Sequence, residues 1–298
     1  MADKDLILYQ KRDGIARVTI NRPEAFNSFT APAIARLRAL LEEANRDDEV
    51  GVVVLTGAGE RAFCTGADVK EFAEHNINLP SSQYMQVVGA VCETIKFIQA
   101  MPKPVIARVN GAAVGGGNEL QAACDLCIVA DHAYFMQVGP RVGSVAAGGA
   151  TQWLPLLVGD RRAREMLFLC SKVEARQAVE WGLANKAVPY AQLDATVDDY
   201  CQQLLDKFPE CLRYTKIQTN FFKELVWNNT YTHARDWLSL HVSSPETREG
   251  MTAFVEKRKA NYRGLRNPKP FQKCPHCGTN GLAPDYKFCG NSGKPLDR

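Results

Sequence analysis

Three short apolar runs constrain this chain more than any other feature: "GVVVLTG" (Gly51–Gly57), "KPVIARVNG" (Lys103–Gly111) and "DLCIVAD" (Asp125–Asp131). Each is bounded by Gly, Lys-Pro or Asp and reads as a buried strand. Helical patterns surround them. Thr30 can cap a helix carrying Ile34, Leu37, Leu40 and Leu41 on one face, and a long helix is expected over about Tyr84–Gln99. Gly115-Gly116-Gly117 then opens a short helix before the third strand. Apolar alternation in "LILYQKRDGIARVTINRP" predicts a hairpin turning at Asp13-Gly14. Strands and helices alternate, so the class is α/β with crossover connections. From about Ala191 the pattern becomes wholly helical: Leu193, Val197, Cys201 and Leu204 make one stripe, and segments around Phe208–Leu225, His233–Leu240 and Glu246–Lys259 follow. A helical tail of this kind often packs on a neighbouring subunit.

Composition narrows the function classes. With 298 residues, 46% hydrophobic and 23% charged, the chain can bury a substantial core. No apolar run approaches the ~20 residues that span a bilayer. The opening "MADKDLILYQKRDG" lacks the apolar core of a signal peptide, so a cytoplasmic protein is expected. A net charge of +3 is too small to argue for nucleic acid. Basic residues do gather in "EKRKANYRGLRNPK" (Glu256–Lys269), either as a solvated helix end and linker or as a contact for a small polyphosphate. Of ten cysteines, seven are scattered through apolar segments as small core residues, and a disulfide framework is not expected.

The triple glycine sits between a strand and a helix, where unpaired N–H groups point outward and a ligand can approach the backbone closely. A dinucleotide site fails on spacing: no G-x-G-x-x-G can be written, because the third position after Gly117 is Leu120. No G-x-x-x-x-G-K-[ST] phosphate loop exists either. An oxyanion hole remains, with amides aimed at a carbonyl oxygen that becomes negative during reaction. Its second donor can come from "RAFCTGADVKEF", which follows the first apolar strand. Either turn alone also reads as an ordinary strand-to-helix loop.

Together, "NRPEAFNSF", "GAGERAFCTGADVKEF", "KPVIARVNGAAVGGGNELQAACD" and "REGMTAFVEKRKANY" resemble the enoyl-CoA hydratase/isomerase (crotonase) superfamily over roughly residues 5–263. The resemblance implies a ββα superhelix with a C-terminal helical trimerisation region, a homotrimer or a dimer of trimers. It implies a coenzyme A thioester as substrate and no further cofactor for chemistry. Matched residue by residue, it puts the oxyanion amides at Thr65 and Gly116 and coenzyme contacts at Lys70 and Lys257. Glu119 matches the first of the two catalytic glutamates of the hydratases. The second, aligned on shared Phe, Gln and Gly positions in "FMQVGPRVGSVAAGGATQWL", falls on Gly139, and no acid occurs between Asp131 and Asp160.

That departure resembles two relatives. Dihydroxynaphthoyl-CoA synthase also has Gly there, but it carries an Asp where this chain has Ala146 and lacks the Glu at position 119. The ring-opening 6-oxocyclohexene-carbonyl-CoA hydrolase keeps that Glu, and "GSVAAGGATQWLPLLVG", "FPECL" and "RDWLSL" look similar to its segments. This chain is shorter, without an insertion before the helical tail. Hydration with a single carboxylate, ring cleavage by the same activated water, and a catalytically degenerate scaffold all stay open.

Composition changes sharply after Gly264, which places a boundary between residues 1–265 and 266–298. "LRNPKPFQK" is a basic linker. "CPHCG" and "FCGNSGKPL" together resemble a zinc ribbon with Cys274, Cys277 and Cys289 as ligands. Ser292 occupies the fourth position, so the site is either degenerate, three-coordinate, or completed by His276 or Asp297; a differently packed tail is the alternative. The "CDLC" at Cys124–Cys127 reads as core packing instead.

Overall fold

The three apolar runs become neighbouring parallel strands in the computed structural model, which describes residues 6–266, 270–282 and 286–296. They are β3 (Val52–Gly57), β5 (Val105–Val109) and β7 (Leu126–Ala130). Every residue of β3 and β5 is buried, which explains why these strands lack a polar face. β1 (Ile7–Arg12) and β2 (Ile15–Ile20) form the expected hairpin, with Asp13 at φ 50° and Gly14 at φ 78°, the left-handed pair that a tight two-residue turn needs. β10 (Lys186–Val188) completes the sheet in the order β1-β2-β3-β5-β7-β10.

Each central strand hands the chain to a second, shorter strand: β4 (Ala62–Cys64), β6 (Ala112–Val114) and β8 (Tyr134–Met136). These form another sheet, β4-β6-β8-β9, with β9 (Val173–Glu174) antiparallel at its edge. A helix then returns the chain, α3 (Ser81–Ala100) after β4, α4 (Gly116–Ala123) after β6 and α5 (Ala150–Val158) after β8. Long strand, short strand and helix repeat as a ββα superhelix. Phe63, Ile95, Ile98, Phe135 and Trp153 lie fully buried in its core. Helix α1 (Ala31–Arg46) begins at Thr30, whose side-chain oxygen accepts from the Ala33 N–H, and it buries Ile34, Leu37, Leu40 and Leu41 as its spacing predicts.

After α6 (Asp160–Leu169) and α7 (Ala175–Trp181) the first unit ends in α8 (Tyr190–Leu205), α9 (Pro209–Thr219), α10 (Phe221–His241) and α11 (Pro245–Val255). α8 buries Leu193, Val197 and Cys201, and Arg108 of β5 holds it through Asp194 with hydrogen bonds of 2.9 and 3.0 Å. The structure corrects two details of the sequence reading. Phe208–Leu225 is not one helix: the chain breaks at Asn220, whose amide donates to the Gln99 carbonyl, and then runs unbroken through His241. The gap left between the expected segments ending at Leu225 and starting at His233 is helical too: Trp227 stacks between Trp153 and Tyr231 at 5.2 and 5.1 Å, and packing overrides propensity. Nor are all seven scattered cysteines core residues: Cys170 is half-buried and Cys211 exposed. Cys124 and Cys127 are buried, and burial pushes the Cys124 thiol up to about 12.

The chain divides into two compact units, Met1–Arg258 and Lys259–Arg298. Among its described residues the second contains α12 (Tyr262–Arg266), two isolated bridges, and a core of Cys274, Cys289 and Leu296. Among the described residues no helix is long and apolar enough to cross a membrane.

Candidate active site

The strand β6 ends at Val114 and α4 begins two residues later, so Glu119 lies in the first turns of a helix whose leading amides have no intrahelical partner. Glu119 is only 6% exposed. Its Oε1 accepts from the N–H groups of Gly148 (2.8 Å) and Ala150 (3.2 Å). Those two bonds favour the carboxylate, yet burial outweighs them and pushes the group up to about 7. Among the described residues Oε2 accepts no hydrogen bond. A Cβ on Gly148 would stand 2.8 Å from Oε2 and closer still to Ile95 Cδ1, so a side chain there would press on the far ends of Glu119 and Ile95.

The two glycine-bearing turns meet. A Cβ on Gly66, at φ 86°, would lie 2.9 Å from the Gly116 nitrogen, and one on Gly116 would lie 2.8 Å from Phe29 Cζ and 3.4 Å from Gly66 Cα. Thr65 and Gly116 therefore sit side by side, each just past the end of adjacent parallel strands, β4 and β6. The Thr65 hydroxyl donates to the Phe26 carbonyl at 3.3 Å.

Gly139 opens a short 3-10 turn (Gly139–Arg141) and is buried. A Cβ there would come within 2.8 Å of the Ser144 carbonyl oxygen, and the Ser144 N–H already donates to the Gly139 carbonyl at 2.8 Å. The position that would carry a second acid is thus closed to any side chain in this backbone.

Lys70 is exposed on α2 (Val69–Glu74), against which α11 packs. Lys257, also exposed, follows α11 with φ 54°. The Arg258 N–H bonds the Ala253 carbonyl and the Lys257 N–H that of Phe254, so Lys257 fills the left-handed place after a helix end where glycine is usual.

A family model for enoyl-CoA hydratase/isomerase matches residues 10–266. The chain belongs to that family. It is 31% identical to an enoyl-CoA hydratase from Mycobacterium avium subsp. paratuberculosis K-10, over 86% of this chain and 98% of that one, with a TM-score of 0.78. An enoyl-CoA hydratase from Bacillus anthracis is 30% identical over 87% and 99%, with a TM-score of 0.69. A monofunctional enoyl CoA isomerase from M. smegmatis is 34% identical over 71% and 90%, with a TM-score of 0.60.

Several residues of the enoyl-CoA hydratase/isomerase motifs have structural work that motif matching does not reveal. The Arg22 guanidinium donates to the Ser28 carbonyl (2.6 Å) and to Asp68 (2.9 Å), and Asp68 in turn accepts from the Lys70 and Glu71 N–H groups at the start of α2. Asn27, fully buried, donates to the Ala58 and Ala62 carbonyls; Asn110 donates to those of Gly59 and Ala62. The Phe29 N–H bonds the Gly66 carbonyl. These bonds clamp the turn bearing Thr65 from both sides. The signal was available: polar residues in an otherwise apolar stretch need buried partners.

In the separate C-terminal unit the sulfur atoms of Cys274, Cys277 and Cys289 lie within 4.8 Å of one another. His276 is exposed and outside that cluster. Asp297 lies outside the described residues.

Proposed function

We propose that this chain hydrates an unsaturated, in one version alicyclic, acyl-CoA thioester with a single carboxylate, Glu119. One observation carries the reading: a buried carboxyl with its pKa near 7 stands in the helix that Gly116 opens, while Gly139, the position matched to the second acid, has no room for a side chain in this backbone. In this reading the thioester oxygen receives hydrogen bonds from the Thr65 and Gly116 N–H groups. Glu119 takes a proton from water, the hydroxide oxygen bonds to Cβ, and the electron pair of the double bond moves to give an enolate whose charge rests on that oxygen. Glu119 then returns the proton to Cα. A group with its pKa near neutrality suits both steps, because neither protonation state is strongly favoured. Lys70 and Lys257 contact the coenzyme, which is part of the substrate. Exposed Tyr214, Ile217, Phe221, Phe222 and Leu225 on α9 and α10 support assembly as a homotrimer or dimer of trimers.

The absence of a second acid equally favours a ring-opening hydrolase. There one water first adds across the ring double bond, a second attacks the ring ketone, the bond between the ketone carbon and the now saturated Cα breaks, and the departing carbanion at Cα becomes the same thioester enolate. The scaffold reading is weakened by retention of Glu119 and both turns. Incubation with a linear enoyl-CoA, a cyclic dienoyl-CoA and a cyclic 6-oxo-enoyl-CoA separates the readings. NMR of the product reveals a new alcohol for hydration or a new carboxylate for ring cleavage; a shifted double bond without added water is isomerase chemistry, and no turnover of any of them favours the scaffold. Glu119→Gln abolishes turnover while acyl-CoA binding stays close to wild type. Wild-type-like rates in that variant overturn the assignment.

A further inference from the structure

The segments Cys274-Pro275-His276-Cys277-Gly278 and Cys289-Gly290-Asn291-Ser292-Gly293 form the same turn twice. In the first, the Gly278 N–H donates to the Cys274 carbonyl (3.0 Å) and the Cys274 N–H to the Thr279 carbonyl (2.8 Å). In the second, the Gly293 N–H donates to the Cys289 carbonyl (2.8 Å) and the Cys289 N–H to the Lys294 carbonyl (2.9 Å). Gly278 and Gly293 both hold left-handed φ, 75° and 67°. In this register Ser292 stands where Cys277 stands in the other turn.

The side chains converge accordingly. Cys277 Sγ is 3.6 Å from Cys289 Sγ, and Cys274 Sγ is 3.5 Å from Ser292 Oγ. Around a tetrahedral zinc with bonds of about 2.3 Å to sulfur and about 2.0–2.2 Å to oxygen, ligands stand about 3.7 Å apart for S···S and about 3.5 Å for S···O. Both pairs already have that spacing. The Asn291 amide and the Thr279 hydroxyl approach Cys277 Sγ at 3.8 and 3.1 Å, polar contacts that suit a thiolate. The only apolar core of this unit among its described residues is Cys274, Cys289 and Leu296, with Leu282 against it. So small a core does not fold a segment of this length without a staple.

We propose that the C-terminal unit binds one Zn²⁺ through the thiolates of Cys274, Cys277 and Cys289, with the neutral Ser292 hydroxyl as an exchangeable fourth ligand. Three thiols release their protons on binding, which leaves the centre one negative charge short of a four-thiolate site. Serine lets go of zinc far more readily than a thiolate does, so an outside ligand enters at that corner. The proposal does not depend on the acyl-CoA chemistry.

The test uses the full-length chain. Elemental analysis after reconstitution with ZnSO₄ and desalting gives about one zinc per chain, and Cys289→Ser loses it. Ser292→Cys slows zinc transfer to a chromogenic chelator by about tenfold or more, because the entry corner is now a thiolate. Ser292→Ala keeps the zinc, with water in place of the hydroxyl. On chelation, limited proteolysis removes the segment after Arg258 while the larger fragment survives. Less than about 0.1 zinc per reconstituted chain overturns the site. Wild-type release kinetics in Ser292→Cys overturn the role of Ser292.

Discussion

Replacing Glu119 by glutamine changes the pH dependence of stability in a direction and by an amount that follow from its burial. The carboxyl titrates near 4.5 when exposed and near 7 in the folded chain. Between those values the native state holds a proton that the unfolded state has released, so its stability falls as pH rises. The loss is absent below about pH 4.5 and complete above about pH 7, and about 2.5 units at 1.36 kcal/mol each make it about 3 kcal/mol. The glutamine side chain fills the same space, accepts from the Gly148 and Ala150 amides and does not titrate. The variant therefore gains about 3 kcal/mol on wild type between pH 4.5 and pH 8, while contributions from all other groups cancel in the comparison. Urea unfolding of both proteins across this range measures the difference directly, and thermal melts register it as a shift of several degrees. A stability difference that is flat with pH refutes the elevated pKa, and with it the account of why one carboxylate can both take and give a proton. The same group then sets the acid limb of kcat/KM near pH 7, with activity rising as Glu119 ionises.

Gly139→Glu does not restore a two-acid site: with the Ser144 carbonyl 2.8 Å from its Cβ the loop must shift, so the variant loses about 1–3 kcal/mol of stability and turns over no faster than wild type. Thr65→Ala keeps kcat within a few-fold, because among the described residues its hydroxyl bonds only the Phe26 carbonyl; a large loss would assign the hydroxyl to the chemistry. Lys257→Gly relieves the left-handed backbone and raises stability by about 1 kcal/mol in a thermal melt, while acyl-CoA binding weakens in calorimetry. If affinity is unchanged, Lys257 does not contact the coenzyme.

The strands and most helices were legible because burial on both faces leaves a simple mark: β3 and β5 contain little besides Val, Ile, Leu and Ala. The hairpin was legible because Asp-Gly suits two left-handed residues in a row. The run from Leu225 to His233 was not, since the stacking of Trp227 on Trp153 joins residues far apart in sequence, and local propensity argues against it. Cys211 looked like a core residue because neighbouring apolar residues hid the fact that α9 presents an apolar face to the surface. At the site, Glu119, Gly116 and Thr65 could be named from motif positions. The loop at Gly148 could not, because its function lies in backbone N–H groups that any sequence provides. Only the folded chain aims them at a carboxylate.

Thr65 and Gly116 belong to successive turns of the superhelix, one residue beyond β4 and two beyond β6. Parallel neighbours in a sheet lie about 4.8 Å apart whatever side chains they bear. The gauge of the proposed oxyanion hole is therefore written in the peptide backbone, and the chain is free to drift in side-chain identity at Thr65. Side chains around the two donors can change without disturbing the interval between them.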